Sequence, residues 1–384
     1  MGEVTSTQQL PSVEDVRSAL NSVYDPEIKK PITELGMVKD VVVGEDGLVT
    51  VGIYLTVAGC PLKATLTKDT TDAVAKLPGV LDVRVELDVM NDEQRTNLRK
   101  SLRGDAAEPV IPFAQPGSLT RVYCVASGKG GVGKSSVTVN LAAAMAQRGL
   151  SVGVVDADIY GHSIPRMLGT REKPTKVDTM IMPPQAHGVK VISIGMFTPG
   201  NVPVVWRGPM LHRALQQFLA DVFWGDLDIL LLDLPPGTGD IAISVAQLIP
   251  NAEILVVTTP QQAAAEVAER AGAIALQTRQ RVAGVIENMS WLELPSGERM
   301  EVFGAGGGQA VADSLTKSVG SPVPLLGQVP LDPKLREQGD SGTPIVLSDP
   351  ESPASLVLRE AAKKLTVRAR GLAGMMLTVP PAGR

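Results

Sequence analysis

Residues 128–135 read GKGGVGKS and fit the pattern G-x-x-x-x-G-K-[ST] between an apolar run and an amphipathic segment. The glycines let backbone N–H groups approach phosphate oxygens, and a helix that begins near Lys134 points its positive dipole end at them. Lys134 would neutralise the β and γ phosphates, and the Ser135 hydroxyl would bind magnesium. We therefore predict an ATP and Mg²⁺ site with these nucleotide contacts: Gly128, Lys129, Gly130, Gly131, Val132, Gly133, Lys134, Ser135 and Ser136.

Lys129 is a second lysine inside this loop. A phosphate loop that uses one lysine, here Lys134, does not require a lysine at position 129. The Lys129 side chain is badly placed to reach the phosphates of its own chain. We expect it to reach the nucleotide of a neighbouring copy, which implies a homodimer. A surface lysine kept for solubility is the alternative.

Three aspartates follow predicted strands. Asp156 and Asp158 come after the run 152–155, and Asp233 ends the run 229–232 before a turn-rich segment, PPGTG. In an open parallel sheet such positions lie at the edge that binds ligands. Asp233 or Asp156 would hold magnesium-bound water, and Asp158 would orient or deprotonate the attacking water, which makes it catalytic beside Lys129 and Lys134. Each aspartate could instead cap the following helix.

The elements that must position these groups divide the chain into two units. Residues 8–103 predict a small α+β domain, 104–118 are a linker rich in proline and glycine, and 119–373 alternate buried strands with helices. The fold class is therefore α/β, with a doubly wound, mostly parallel sheet preceded by the small α+β domain. In the small domain we predict helices over 13–23, from 62 and over 93–102, with strands over 37–43, 48–57 and 80–89.

Composition excludes several classes of protein. Aromatic residues make up 3% of the 384 residues and the net charge is −5, so we expect no nucleic-acid binding. No apolar run approaches the roughly 20 residues of a membrane span, and two cysteines build no disulfide framework, so we expect a cytoplasmic protein. The basic, amphipathic segment 356–370 is expected to pack on its own domain; an anionic membrane is the alternative.

The two cysteines have different expected roles. Cys124 lies inside a predicted buried strand, where a cysteine acts as a small apolar residue. Cys60 precedes Pro61, so its sulfur should lie near a helix N-terminus with Lys63 close by, and both features lower a thiol pKa. Cys60 is therefore a candidate iron–sulfur or metal ligand or an exchange thiol; a partly buried structural cysteine is the alternative. The three histidines are scattered, and we assign them no metal.

The segments KGGVGKSS, DADIYGHS, LLLDLPPGTGD and IENMS together resemble the Mrp/ApbC branch of the MinD/ParA-like P-loop ATPases. Residues 8–103 resemble the SufT-type domain of iron–sulfur maintenance proteins, through the segments DPE, ELGM and GCP. The resemblance covers nearly the whole chain. It implies a homodimeric, slow, magnesium-dependent ATPase that carries iron–sulfur clusters to apoproteins, with Lys129 acting across the dimer and Asn288 reading the adenine edge.

The sequence departs from this family at one place. Members that share a [4Fe-4S] cluster hold it with a C-x-x-C pair after the N-M-S segment, but residues 289–307 contain no cysteine. They predict a hairpin instead, with strands over 291–294 and 299–303. Any cluster is therefore expected to be labile. The alternatives are a MinD/ParA-like positioning or regulatory ATPase without a cluster, and a nucleotide-dependent scaffold that does not hydrolyse ATP.

Overall fold

The structure is a computed structural model that describes residues 10–26, 28–56, 63–103, 110–158, 161–197, 208–237, 240–261 and 264–366. Several predicted features lie outside these ranges: Cys60, the start of the helix predicted from residue 62, the first part of the linker and the last residues of the basic C-terminal segment. Within the described ranges, no helix is both long and apolar enough to cross a bilayer.

The N-terminal unit contains a three-stranded sheet in the order β1-β2-β3, with β1 antiparallel and β3 parallel to β2. Its first helix begins at Val13 because the Ser12 hydroxyl accepts the Asp15 N–H while the Asp15 carboxylate accepts the Ser12 N–H. The predicted elements are confirmed to within a few residues. They are α1 Val13–Leu20, β1 Val38–Val43, β2 Leu48–Leu55, α2 Lys63–Val74, β3 Asp82–Val89 and α3 Asp92–Arg103.

The second unit alternates strands and helices as predicted, and its main sheet has eight strands. Its elements are β4 Arg121–Ala126, α4 Lys134–Gln147, β5 Val152–Asp156, α5 Ile164–Met167, β6 Thr175–Val177, β7 Met180–Met182, β8 Gln185–Ala186, β9 Val189–Ser193, α6 Gly208–Ala220, β10 Ile229–Asp233, α7 Asp240–Leu248, β11 Glu253–Thr258, α8 Ala264–Thr278, β12 Val282–Asn288, β13 Leu292–Glu293, β14 Arg299–Met300, α9 Gly307–Val319, β15 Leu325–Val329, α10 Pro333–Ser341, α11 Ile345–Ser348 and α12 Pro353–Thr366.

The main sheet has the strand order β15-β12-β11-β4-β10-β5-β9-β8, and every pairing is parallel except that of the edge strand β8. The central strands β5 and β10 are buried at every position, because helices cover both faces of the sheet. The predicted doubly wound fold is therefore confirmed. The carboxyl ends of β4, β5 and β10 meet at one edge, where the phosphate loop begins.

The small hairpin β6–β7 joins the two units. Its side chains Val177, Met180 and Met182 are at most 1% exposed and pack in the same apolar cluster as the core of the N-terminal unit. On its other side, the hairpin pairs with the second unit through a bridge between Ile181 and Val222. The N-terminal unit is therefore docked on the second unit through an apolar contact.

Two further segments pack on the second unit. In the latter part of the predicted linker, Phe113 is buried against Trp224, with ring centroids 6.5 Å apart. Helix α12 buries Leu358 and Leu365 against its own domain, mainly on α4 and β15. The described part of the basic C-terminal segment therefore packs as expected and does not offer these leucines to a membrane.

Candidate functional site

The phosphate loop runs from the end of β4 to the start of α4, as the pattern requires. Gly131 and Gly133 both have φ of +79°, in the left-handed region that favours glycine. A β-carbon on Gly133 would also collide with the side-chain amide of Asn288. Glycine is therefore required at Gly133 by backbone conformation and by packing.

Asp233, at the end of β10, is fully buried and contacts three polar side chains of α4. The Lys134 ammonium lies 2.7 Å from Asp233 Oδ2, and the Ser135 hydroxyl donates to the same oxygen at 2.6 Å. The Thr138 hydroxyl donates to Oδ1 at 2.8 Å. The ammonium and hydroxyl that would bind phosphate and magnesium are thus held by one carboxylate.

Asp156, at the end of β5, is also fully buried but has different partners. It accepts hydrogen bonds from the Asp158 and Ile164 N–H groups at 3.2 and 3.3 Å and from the Ser193 hydroxyl at 3.1 Å. Burial, reinforced by the negative charge of Asp233, raises the pKa of Asp156 to about 7. Asp156 is therefore a buried acceptor that anchors the segment carrying Asp158.

A cavity of about 200 Å³ lies over the phosphate loop and is lined by residues 129–136 of the loop and of the start of α4. The same cavity is also lined by four residues that follow other strands, Asp158, Ser163, Met167 and Pro236. Magnesium bound with a nucleotide takes one or two protein oxygens and completes its shell with phosphate and water oxygens. The adjacent Ser135 and Asp233 oxygens match that requirement. In the described part of the chain, no group of three or more His, Cys, Asp or Glu is arranged to hold a metal ion by itself.

Lys129 is one of the residues that line the cavity over the phosphate loop. Its ammonium contacts the side-chain oxygen of Gln261, in the turn after β11. The preceding residue, Gly128, accepts a hydrogen bond from Arg270 of α8 at 3.3 Å. Residues that flank or form α8 therefore hold the first two residues of the loop.

Asn288, at the end of β12, touches the phosphate loop itself. Its side-chain NH₂ donates to the Val132 carbonyl at 2.9 Å, while its Oδ1 is buried without a hydrogen-bond partner among the residues that the structure describes. A buried acceptor without a donor is unfavourable by roughly 1–3 kcal/mol. Asn288 therefore offers one unused acceptor next to the loop.

The segment that lacks the C-x-x-C pair forms the predicted hairpin, which is confirmed as β13 paired antiparallel with β14. The Arg299 guanidinium stacks 4.2 Å from the centre of the Trp291 ring. Cys124 is 2% exposed in β4, as expected, and burial raises the pKa of its thiol to about 12. A thiol this buried and this weakly acidic is a poor metal ligand.

Sequence reasoning missed several residues of the site. Thr138 lies one helical turn after Lys134, so its position on the same face of α4 was a usable signal. Ser193 and Gln261 reach the site from β9 and from the turn after β11, and nothing in their local sequence indicates it.

A phosphate loop at the carboxyl edge of a parallel sheet, with a buried aspartate on the next strand, defines the class of P-loop nucleotide-binding proteins. The model of the NUBPL iron-transfer P-loop NTPase family matches residues 118–366, and that of the iron-sulfur cluster assembly protein family matches residues 13–87. The chain belongs to the iron-transfer P-loop NTPase family.

Individual proteins agree with this assignment. The chain is 70% identical over 369 residues to a protein of Mycobacterium tuberculosis named iron-sulfur cluster carrier protein, covering 96% of this chain and 97% of that one. A protein of the same name from Deinococcus radiodurans is 41% identical over 350 residues, covering 90% and 93%. A nucleotide-binding protein from Archaeoglobus fulgidus, solved in complex with ADP, is 37% identical with a TM-score of 0.50 and covers 58% of this chain and 86% of that one.

Proposed function

We propose that this protein is a magnesium-dependent ATPase of the cytoplasm that carries iron–sulfur clusters and transfers them to apoproteins. The observation that carries the proposal is the arrangement of Lys134 and Ser135 around Asp233, in a chain whose relatives are named iron-sulfur cluster carrier proteins. ATP would displace Asp233 from Lys134, because the phosphates offer the ammonium more negative charge than one carboxylate. Ser135 would then bind the magnesium directly, and Asp233 would hold one of its waters.

Hydrolysis requires a water molecule in line with the γ phosphate. Asp158 lines the cavity over the phosphate loop, and its carboxylate accepts the Gly161 N–H at 3.0 Å. Asp158 would orient that water or accept its proton. We expect Lys134→Ala to abolish hydrolysis, since the γ phosphate loses its main countercharge. The control is Lys317→Ala, on the exposed face of α9, which should leave hydrolysis unchanged. Phosphate release measured with and without Mg²⁺ tests this, and undiminished turnover in Lys134→Ala contradicts it.

The active form is proposed to be a homodimer in which Lys129 serves the partner's nucleotide. The contact with Gln261 supports this proposal, because it holds the Lys129 ammonium on the turn after β11 and not on another residue of the phosphate loop. Mixing Lys129→Ala chains with Lys134→Ala chains should restore at most half of the sites, since only one of the two composite sites is then complete. A protein that stays monomeric with bound ATP in light scattering contradicts the proposal.

The asparagine at the end of β12 is proposed to read the adenine. Its Oδ1 is a buried acceptor with no donor in the described part of the chain, and the exocyclic amine of adenine is a donor that would satisfy it.

The cluster ligand of this chain is proposed to be Cys60, because Cys124 is buried in β4. One thiolate per chain supplies two in a homodimer, so small thiols, carboxylates or the client protein must complete the ligand set. The cluster is then labile, which suits a protein that gives it away. Iron–sulfur absorbance of the reconstituted wild type and of Cys60→Ala tests this ligand.

A further inference from the structure

A second cavity, of about 320 Å³, lies between the two units, at the amino ends of β5 and β9. Lys29 and Lys30 line it from the N-terminal unit, and Lys190 of β9 lines it from the second unit. The carboxyl ends of the same two strands carry Asp156 and Ser193 of the nucleotide site. The cavity is therefore at the opposite edge of the sheet from the phosphate loop.

Lys190 is unusual because it is a buried cation. It is 9% exposed, and its ammonium donates one hydrogen bond, to the Trp224 carbonyl at 2.7 Å. It also lies 5.3 Å from the centre of the Phe223 ring. Among the described residues it makes no ion pair, so two of its three N–H groups have no protein acceptor there. Buried charges in proteins are normally paired, and an unpaired one is costly.

The surroundings of Lys190 add positive charge. Burial and the charge of Lys29 lower its pKa to about 8, against which Asp226 acts weakly in the opposite direction. Among the described residues, three lysines and one aspartate thus line the cavity. A β-carbon on Gly225 would lie 3.3 Å from the Lys190 Nζ, so the glycine leaves space next to the ammonium.

The turn that carries Lys29 and Lys30 is fixed by backbone contacts. The Asp25 N–H donates to the Lys30 carbonyl at 2.9 Å, and the Lys29 N–H donates to the Asp25 carbonyl at 2.7 Å. Lys29 itself has φ of +58°, which is uncommon for a residue with a side chain. The two exposed lysines are therefore held at the mouth of the cavity.

We propose that this cavity binds a small multivalent oxyanion, which accepts hydrogen bonds from Lys190 and is neutralised at the mouth by Lys29 and Lys30. The anion pairs the buried ammonium and bridges the two units. This site is independent of the ATPase and cluster chemistry, because no residue of the phosphate loop takes part.

The probes are inorganic phosphate and citrate, titrated calorimetrically into the full chain at constant ionic strength with MgADP saturating the phosphate loop. We expect one anion per chain, bound about tenfold or more weakly by Lys190→Met, since a charge-assisted hydrogen bond is lost. Lys317→Met, an exposed lysine of α9, is the matched control and should bind as the wild type does. Preference for phosphate or for citrate distinguishes a phosphorylated from a polycarboxylate ligand.

The exposed variant Lys29→Met keeps the proposal testable if Lys190→Met fails to fold, and it should bind the anion several-fold more weakly than the control. Equal affinities in the wild type and the cavity variants overturn the proposal. Absence of saturable binding of either probe to the wild type overturns it as well.

Discussion

Replacing Lys134 by methionine tests the buried charge network without nucleotide. Lys134 is 6% exposed and Asp233 is fully buried, so the substitution leaves the carboxylate without its cation in a site that water reaches poorly. Breaking a buried ion pair costs about 3–5 kcal/mol. The Ser135 and Thr138 hydroxyls still donate to Asp233 and offset part of that cost. We therefore expect Lys134→Met to lower the free energy of unfolding by about 2–4 kcal/mol.

Urea denaturation in nucleotide-free buffer measures this loss. All three tryptophans lie in the second unit, so their fluorescence reports its unfolding. Lys129→Met is the matched control, because Lys129 contacts the neutral Gln261, and it should cost at most about 1 kcal/mol. The double variant Lys134→Met/Asp233→Asn should recover most of the loss, since the uncompensated charge is gone. Equal stability of Lys134→Met and the wild type would refute the argument that Lys134 compensates Asp233.

Three further predictions concern single groups of the site. The folded-state pKa of Asp156, about 7, exceeds the unfolded value, so its contribution to stability is present below about pH 4 and is lost as the pH rises to about 7. Between about pH 4 and 7, urea titrations should therefore show a smaller loss of stability in Asp156→Asn than in the wild type. Identical pH profiles of the two proteins contradict this prediction. Thr138→Val should lower the free energy of unfolding by about 1–3 kcal/mol, because it removes a buried hydroxyl that donates to Asp233. Thr138→Ser keeps the hydroxyl and is the control, and urea titration measures both variants. An equal loss in the two variants would mean that the hydroxyl does not stabilise Asp233. Asn288→Ala should weaken ATP binding, measured by calorimetry, about tenfold and leave the binding of inorganic tripolyphosphate unchanged. Equal weakening of both ligands would mean that Asn288 only supports the loop through its contact with Val132.

Much of the fold could be predicted because the central strands are apolar at every position. A run such as 229–232, buried on both faces, has few alternatives to a parallel sheet covered by helices. The phosphate loop could be located because its glycines and lysine have fixed spacing. Thr138 shows the limit of that approach, since its role depends on a carboxylate 95 residues further along the chain.

The strand order and the docking of the two units could not be predicted. The side chains of Met180 and Met182 belong to a hairpin of three-residue strands, and no periodicity is readable over so short a segment. Their burial comes from packing against the core of the N-terminal unit. Lys190 alternates with apolar residues in β9 and gives no local sign of being buried at the junction of the two units.

Anaerobic reconstitution with iron and sulfide tests whether this ATPase carries a labile cluster on Cys60. Iron, sulfide and absorbance are measured on the wild type and on Cys60→Ala, followed by transfer to an apo-ferredoxin and by ATP hydrolysis on the same samples. We predict that the wild type binds a cluster weakly and transfers it, whereas Cys60→Ala loses both properties and hydrolyses ATP at the wild-type rate. A stable, stoichiometric cluster in Cys60→Ala, or no cluster in the wild type even with the apo-ferredoxin present, would rule out Cys60 as the ligand of a transferable cluster.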